Sequence, residues 1–157
     1  IPNRRYFFDI GEKSFHLSSR YETKLAIIAI DVDYFKKIND TYGHKVGDQI
    51  LKHISAQIKN YIRKSDTICR IGGEEFAIIL DSTGIIGAKS FAEKIRNAVH
   101  DNPYEHDGEI IFTTISLGVT QKEENDKNID DILARADTAM YKAKKEGRNK
   151  TVVFKII

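Results

Sequence analysis

A single cysteine, Cys69, stands among 157 residues, so no disulfide can form within the chain. It falls in an expected strand, where a thiol serves as a small core residue, and a reducing, cytoplasmic setting is expected. Prolines occur only at positions 2 and 103, with no internal repeat and no low-complexity tract. No apolar stretch approaches the roughly 18 residues that a membrane-crossing helix needs, and no signal peptide is visible; no membrane contact is expected from this segment. Lysine and arginine number 25 and the acids 23, leaving a net charge of +2. That gives no broad basic field and argues against a nucleic-acid binder. No glycine-rich loop ending in Gly-Lys-Ser or Gly-Lys-Thr occurs, so phosphate binding of the P-loop kind is excluded.

What is present suits one globular domain. The length supports one core, and 41% of residues are hydrophobic. The first residue is Ile1 rather than Met. Residues 1–157 therefore read as a single domain cut from a longer protein, with an upstream region that can hold a sensor, a linker or a membrane anchor.

A helix is expected from about Asn3 to Tyr21, with Phe7, Phe8, Phe15 and Leu17 among its apolar positions. The continuous run Leu25 to Ile30, closed by Asp31, reads as a central strand buried on both faces. Val46 to Ile62 is close to helical spacing, and Gly43 and Gly47 are expected to form a tight turn before it. A hairpin around Gly72 and Gly73 follows, joining Thr67–Ile71 to Phe76–Leu80. Then come a helix from Ile86 to Val99, a strand from Ile110 to Thr120, and a helix from Ile129 to Lys145 stopped by Gly147. Thr151 to Phe154 closes as a strand. The order β-α-β-β-α-β is the split βαβ pattern of ferredoxin-like folds. The expected class is α+β: a mostly antiparallel central sheet flanked by helices, packed on one side.

Two acidic clusters carry the chemistry. Gly72-Gly73-Glu74-Glu75 places two like charges on a tight turn, which a bound cation would relieve; the alternative is a solvated turn. Asp31-Val32-Asp33 ends the buried strand. A carboxylate there is costly unless paired or metal-bound. Asp31 is the better ligand, and Asp33 is expected past the strand end, in water, capping the next helix. Strand ends and hairpin tips of one sheet can meet. Asp31 with Glu74 would then form a hard oxygen site suited to Mg²⁺ or Mn²⁺, ions that can flank a phosphoryl centre. Lys36 can meet a phosphate, and Asn39, Asp40 and Asp48 can read a base edge. Lys144 and Arg148 flank Gly147 at a helix C-terminus, where basic residues are also common for dipole reasons alone.

Four ordered segments resemble one family. They are Ile30 to His44, Arg70 to Phe76, Ser116 to Val119, and Ala136-Asp137 through Lys144 to Asn149, preceded by Pro2-Asn3-Arg4-Arg5. Together they are similar to the GGDEF domains of diguanylate cyclases, in a Gly-Gly-Glu-Glu-Phe form, over essentially the whole chain. The resemblance implies a nucleotidyl cyclase-like catalytic domain that condenses two GTP into cyclic di-GMP and two pyrophosphates. It implies that Asp31, Glu74 and the Val32 carbonyl hold metal, and that Asn39 and Asp48 read guanine. Lys36, Lys144 and Arg148 hold the triphosphate, while Glu75 assists deprotonation or holds the hairpin. His44 also matches, although a turn-stabilising hydrogen bond is its simpler role.

Each domain holds one GTP, so a homodimer is implied. Arg63-Lys64-Ser65-Asp66, ending shortly before Gly72, looks like the family's inhibitory site for cyclic di-GMP. Its ordinary alternative is a surface ion pair worth about 0–1 kcal/mol. Lys94 stands where many members carry a second arginine, and Arg96 is turned about 200° away on a helix. The competing expectation is a catalytically silent domain that binds GTP or cyclic di-GMP and regulates a partner.

Overall fold

The computed structural model describes residues 1–155. The last two positions of the expected 1–157 domain lie outside the described residues.

Helix α1 (Arg4–Tyr21) starts where the Asn3 side chain accepts a hydrogen bond from the Tyr6 amide at 3.0 Å. An asparagine at this position satisfies one of the free amides of a first turn. The helix stops at Glu22, which takes a left-handed conformation. Strand β1 (Leu25–Val32) is buried along its whole length. It pairs antiparallel with β3 (Glu75–Asp81) on one side and β6 (Ile115–Gln121) on the other. Strand β2 (Asp66–Arg70) lies outside β3, and β7 (Thr151–Val153) lies parallel to β6. The sheet order β2-β3-β1-β6-β7 bears out the split βαβ core and the mostly antiparallel sheet.

Helices cover both faces of the sheet, which corrects the one-sided packing. Ala26, Ile28, Ile30 and Val32 point into a core shared with α2 (Phe35–Tyr42), α3 (His44–Lys59) and α4 (Ile85–Asp101). Leu25, Ile27 and Ala29 point the other way, toward α1 and α5 (Ile129–Lys145). A strand apolar on both faces needs a helical layer on each. Helix α5 packs so close to β6 that a Cβ on Gly118 would overlap the Ala136 carbonyl and the Met140 amide.

Other expectations shift locally. The stretch from Ile110 to Thr120 is two strands. Its first part belongs to β5 (Glu109–Ile111), which among the described residues pairs only with β4 (Tyr104–His106). Asp107 and Gly108 have φ of 48° and 79° at the turn between them, as a tight two-residue hairpin requires. Gly43, with φ 91°, makes the break before α3, but Gly47 lies inside that helix. Ile62 falls beyond the helix end and still packs on the core. Leu17 is exposed. His44 opens α3 as an exposed residue and makes no side-chain hydrogen bond among the described residues.

Candidate active site

The end of β1 and the tip of the β2–β3 hairpin meet. Asp31 stands opposite Glu75 in the ladder, so both side chains leave the same face of the sheet. The Val32 amide donates to the Glu74 carbonyl at 3.1 Å. In an antiparallel strand a residue's N–H and C=O face the same neighbour, so the Val32 carbonyl is turned toward the hairpin tip. Arg70 braces that tip: its Nε donates to the Gly72 and Gly73 carbonyls at 3.2 and 3.1 Å, and a terminal nitrogen donates to Gly73 at 2.6 Å.

Asp31, Val32, Glu74, Lys36, Lys144 and Arg148 line one pocket of about 460 Å³. Asp31 is 3% exposed. Burial pushes its carboxyl up to about 6; Lys144 pulls it down, and the charges of Glu74 and Glu75 add to the rise. Lys144 Nζ pairs with Asp31 Oδ1 at 3.0 Å, and among the described residues that oxygen has no other partner. Asp137 on α5 is also raised, first by burial and then by Glu75, with Arg4 opposing. Acids from three elements therefore crowd one end of the sheet.

Among the described residues no group of three or more His, Cys, Asp or Glu is arranged to hold a metal. The donors nevertheless suit a hard cation: a buried carboxylate, a second carboxylate on the same pocket and a carbonyl turned to the tip. Asp31, Glu74 and Val32 are the residues that could hold Mg²⁺ or Mn²⁺.

Asn39 and Asp48 are not on this pocket's wall. The Asn39 Oδ1 is buried and has no hydrogen-bond partner among the described residues, lying where a Cβ on Gly47 would overlap it. Exposed Asp48 borders a separate pocket of about 310 Å³ with Leu51, Arg70 and Phe76. Glu75 folds back over Gly72.

Asp33 departs from expectation. It is 2% exposed rather than in water, and α2 has no side-chain cap. Its carboxylate accepts from Thr114 Oγ1 at 2.7 Å, Ser116 Oγ at 2.6 Å and the Asn149 amide at 3.0 Å. Strand periodicity stops at Val32, and nothing local in the sequence shows donors arriving from over 80 and over 110 residues away.

At the other edge Arg63 grips Asp66 with two nitrogens, at 3.0 and 2.9 Å, and reaches Thr83 at 2.7 Å. The Asp66 side chain is fully buried, so the pair is more than a surface contact. Arg63 and Lys94 line one pocket of about 360 Å³ with Tyr61 and Phe91. Arg96 turns away from it and binds the Asn149 carbonyl and side chain, as helical geometry predicts.

Sequence reasoning missed Tyr34, whose ring lies 4.7 Å from the Arg148 guanidinium carbon, and the brace of Arg70. An aromatic beside the acidic strand end was the available signal for the first. Among the described residues no helix is long and apolar enough to cross a membrane.

The family model for "Diguanylate cyclase, GGDEF domain" matches residues 1–150. Diguanylate cyclase A of Treponema denticola is 40% identical over 155 residues, which span 97% of this chain and 42% of that protein. The chain thus spans less than half of that relative's length. The active GGEEF domain of a diguanylate cyclase from Vibrio cholerae superposes with a TM-score of 0.93 at 34% identity, covering 99% of each chain. The GGDEF domain of DgcB from Caulobacter crescentus, in complex with c-di-GMP, gives 0.94 at 27% identity, covering 98% of this chain and 89% of that one.

Proposed function

The chain belongs to the GGDEF family of diguanylate cyclases, and on that premise we propose that it condenses two GTP into cyclic di-GMP and two pyrophosphates. One observation carries the reading: three carboxylates, three lysines and an arginine from four separate parts of the chain converge on one pocket. A triphosphate with its counter-ion needs that mixture of charges.

In this reading Asp31, Glu74 and the Val32 carbonyl hold Mg²⁺ or Mn²⁺. When bound, the ions neutralise charge on the α-phosphate and on the leaving pyrophosphate. Lys36, Lys144 and Arg148 bind the triphosphate and orient it. Asn39 and Asp48 read guanine, with Asp48 accepting from N1–H and N2–H. Glu75 either takes the proton of the attacking 3′-hydroxyl or holds the hairpin. Each 3′-hydroxyl attacks the α-phosphate of the other GTP, so two copies must face each other as a homodimer. Arg63, Asp66 and Lys94 form a second site for the product, supported by the guanidinium and ammonium that share one pocket. The c-di-GMP-bound DgcB domain supports product binding in this fold.

The test is incubation of a forced dimer with GTP and Mg²⁺, followed by separation of nucleotides. Cyclic di-GMP from wild type and none from Glu74→Gln supports the reading. GTP binding without product would instead make this a silent nucleotide-binding domain. Calorimetric titration of cyclic di-GMP into wild type and Arg63→Ala tests the second site, and equal affinities would remove it.

A further inference from the structure

Arg148 follows Gly147 at the end of α5, with φ of 63°, and Asn149 has φ of 45°. Two consecutive non-glycine residues in the left-handed region persist only where their surroundings hold them. Two adjacent residues after β1 supply the hold. Asp33 accepts from the Asn149 amide at 3.0 Å, and Tyr34 sets its ring 4.7 Å from the Arg148 guanidinium carbon.

The guanidinium otherwise stands alone. Among the described residues it has no carboxylate in ion-pair reach, and its Nε is buried without a hydrogen-bond partner. Tyr34 is itself left-handed, with φ of 55°, and 59% exposed. Its backbone carbonyl opens α2 by accepting from the Ile38 amide, but its side chain makes no hydrogen bond among the described residues. A bulky side chain in that conformation is unfavourable, and folding alone does not explain it here.

We propose that Tyr34 is a positioning residue for nucleotide binding, its ring face holding the Arg148 guanidinium toward the triphosphate pocket that both residues line. This rests on the assignment of that pocket to GTP. An aromatic face attracts a guanidinium without consuming its N–H donors, so the donors remain free for phosphate oxygens. A held arginine also loses less side-chain freedom on binding than a loose one.

The probe is 3′-deoxy-GTP with Mg²⁺, which can bind but lacks the attacking hydroxyl. Tyr34→Asn removes the ring while tolerating the left-handed backbone, and Tyr34→Leu keeps apolar bulk. Both are expected to weaken binding about fivefold to tenfold, and Tyr34→Phe to bind as wild type. With GTP and a forced dimer, KM should rise more than kcat falls. Adding either substitution to Arg148→Ala should weaken binding no further. Wild-type affinity in Tyr34→Asn, failure of Tyr34→Phe to restore binding, or a full extra loss on top of Arg148→Ala overturns the proposal. Wild-type affinity in Arg148→Ala overturns the pocket assignment itself, and this proposal with it.

Discussion

Lys144 Nζ lies 3.0 Å from Asp31 Oδ1, tying the last turn of α5 to the end of the central strand. The carboxyl nonetheless sits near 6, so burial outweighs the ammonium. The folded protein holds this proton more tightly than the unfolded chain does. Between the ordinary value of 3.8 and about 6 the folded state is therefore destabilised as pH rises.

Asp31→Asn removes that penalty. With a chelator present, its Tm should exceed wild type at pH 7–8, and the gap should close as pH falls toward 4. A gap independent of pH would show that desolvation of Asp31 is not the cause.

Asp33 holds two hydroxyls and one amide. Asp33→Ala leaves these donors without their acceptor and should destabilise by about 3 kcal/mol or more, read by urea denaturation. Binding of GTP should weaken as well, because Asn149 is released beside Arg148. Unchanged stability would contradict the buried network.

Gly118→Ala should destabilise by about 3 kcal/mol, since the new methyl meets backbone of α5 rather than a movable side chain. Guanidinium chloride unfolding measures it. A loss below about 0.5 kcal/mol would mean that α5 sits farther from β6.

Gly47→Ala should push Asn39 aside, because the added carbon falls on its Oδ1. The expected result is weaker GTP binding with the Tm lowered only modestly, and a smaller change for inorganic triphosphate, which carries no base. Equal weakening for both ligands would detach Asn39 from base reading.

Arg70→Ala should lower turnover of a forced dimer with little change in Tm. Its side chain contacts two carbonyls of the hairpin tip from an exposed position. Full activity would show that the tip keeps its shape unaided.

Particular residues show where the sequence was readable. The run Leu25 to Ile30 is apolar at every position, so no register is needed to recognise a central strand. The hairpin at Gly72 and Gly73 carries its own turn chemistry. Helix α2 was missed because eight residues offer only Phe35 and Ile38 as buried positions, too few to show a period. The β4–β5 hairpin had a local signal in Asp107-Gly108, hidden by the long β-branched stretch that follows. Asp33 and Tyr34 act through partners more than 80 residues away, and no local pattern encodes such contacts. Asp31, Glu74 and Lys36 were legible as chemistry. The meeting of Asp31 with Glu74 was expected from strand end and hairpin tip, and the structure puts both on one pocket with Lys36.

Strand β1 is hydrogen-bonded to neighbours on both sides and buried throughout. Its amides should be among the slowest in the molecule to exchange with deuterium, because local openings begin at edges, termini and loops. The Asp31 carboxylate is thus fixed to the part of the protein that opens last. Edge strands β2 and β7 can fray and reclose while that end of the sheet keeps its geometry.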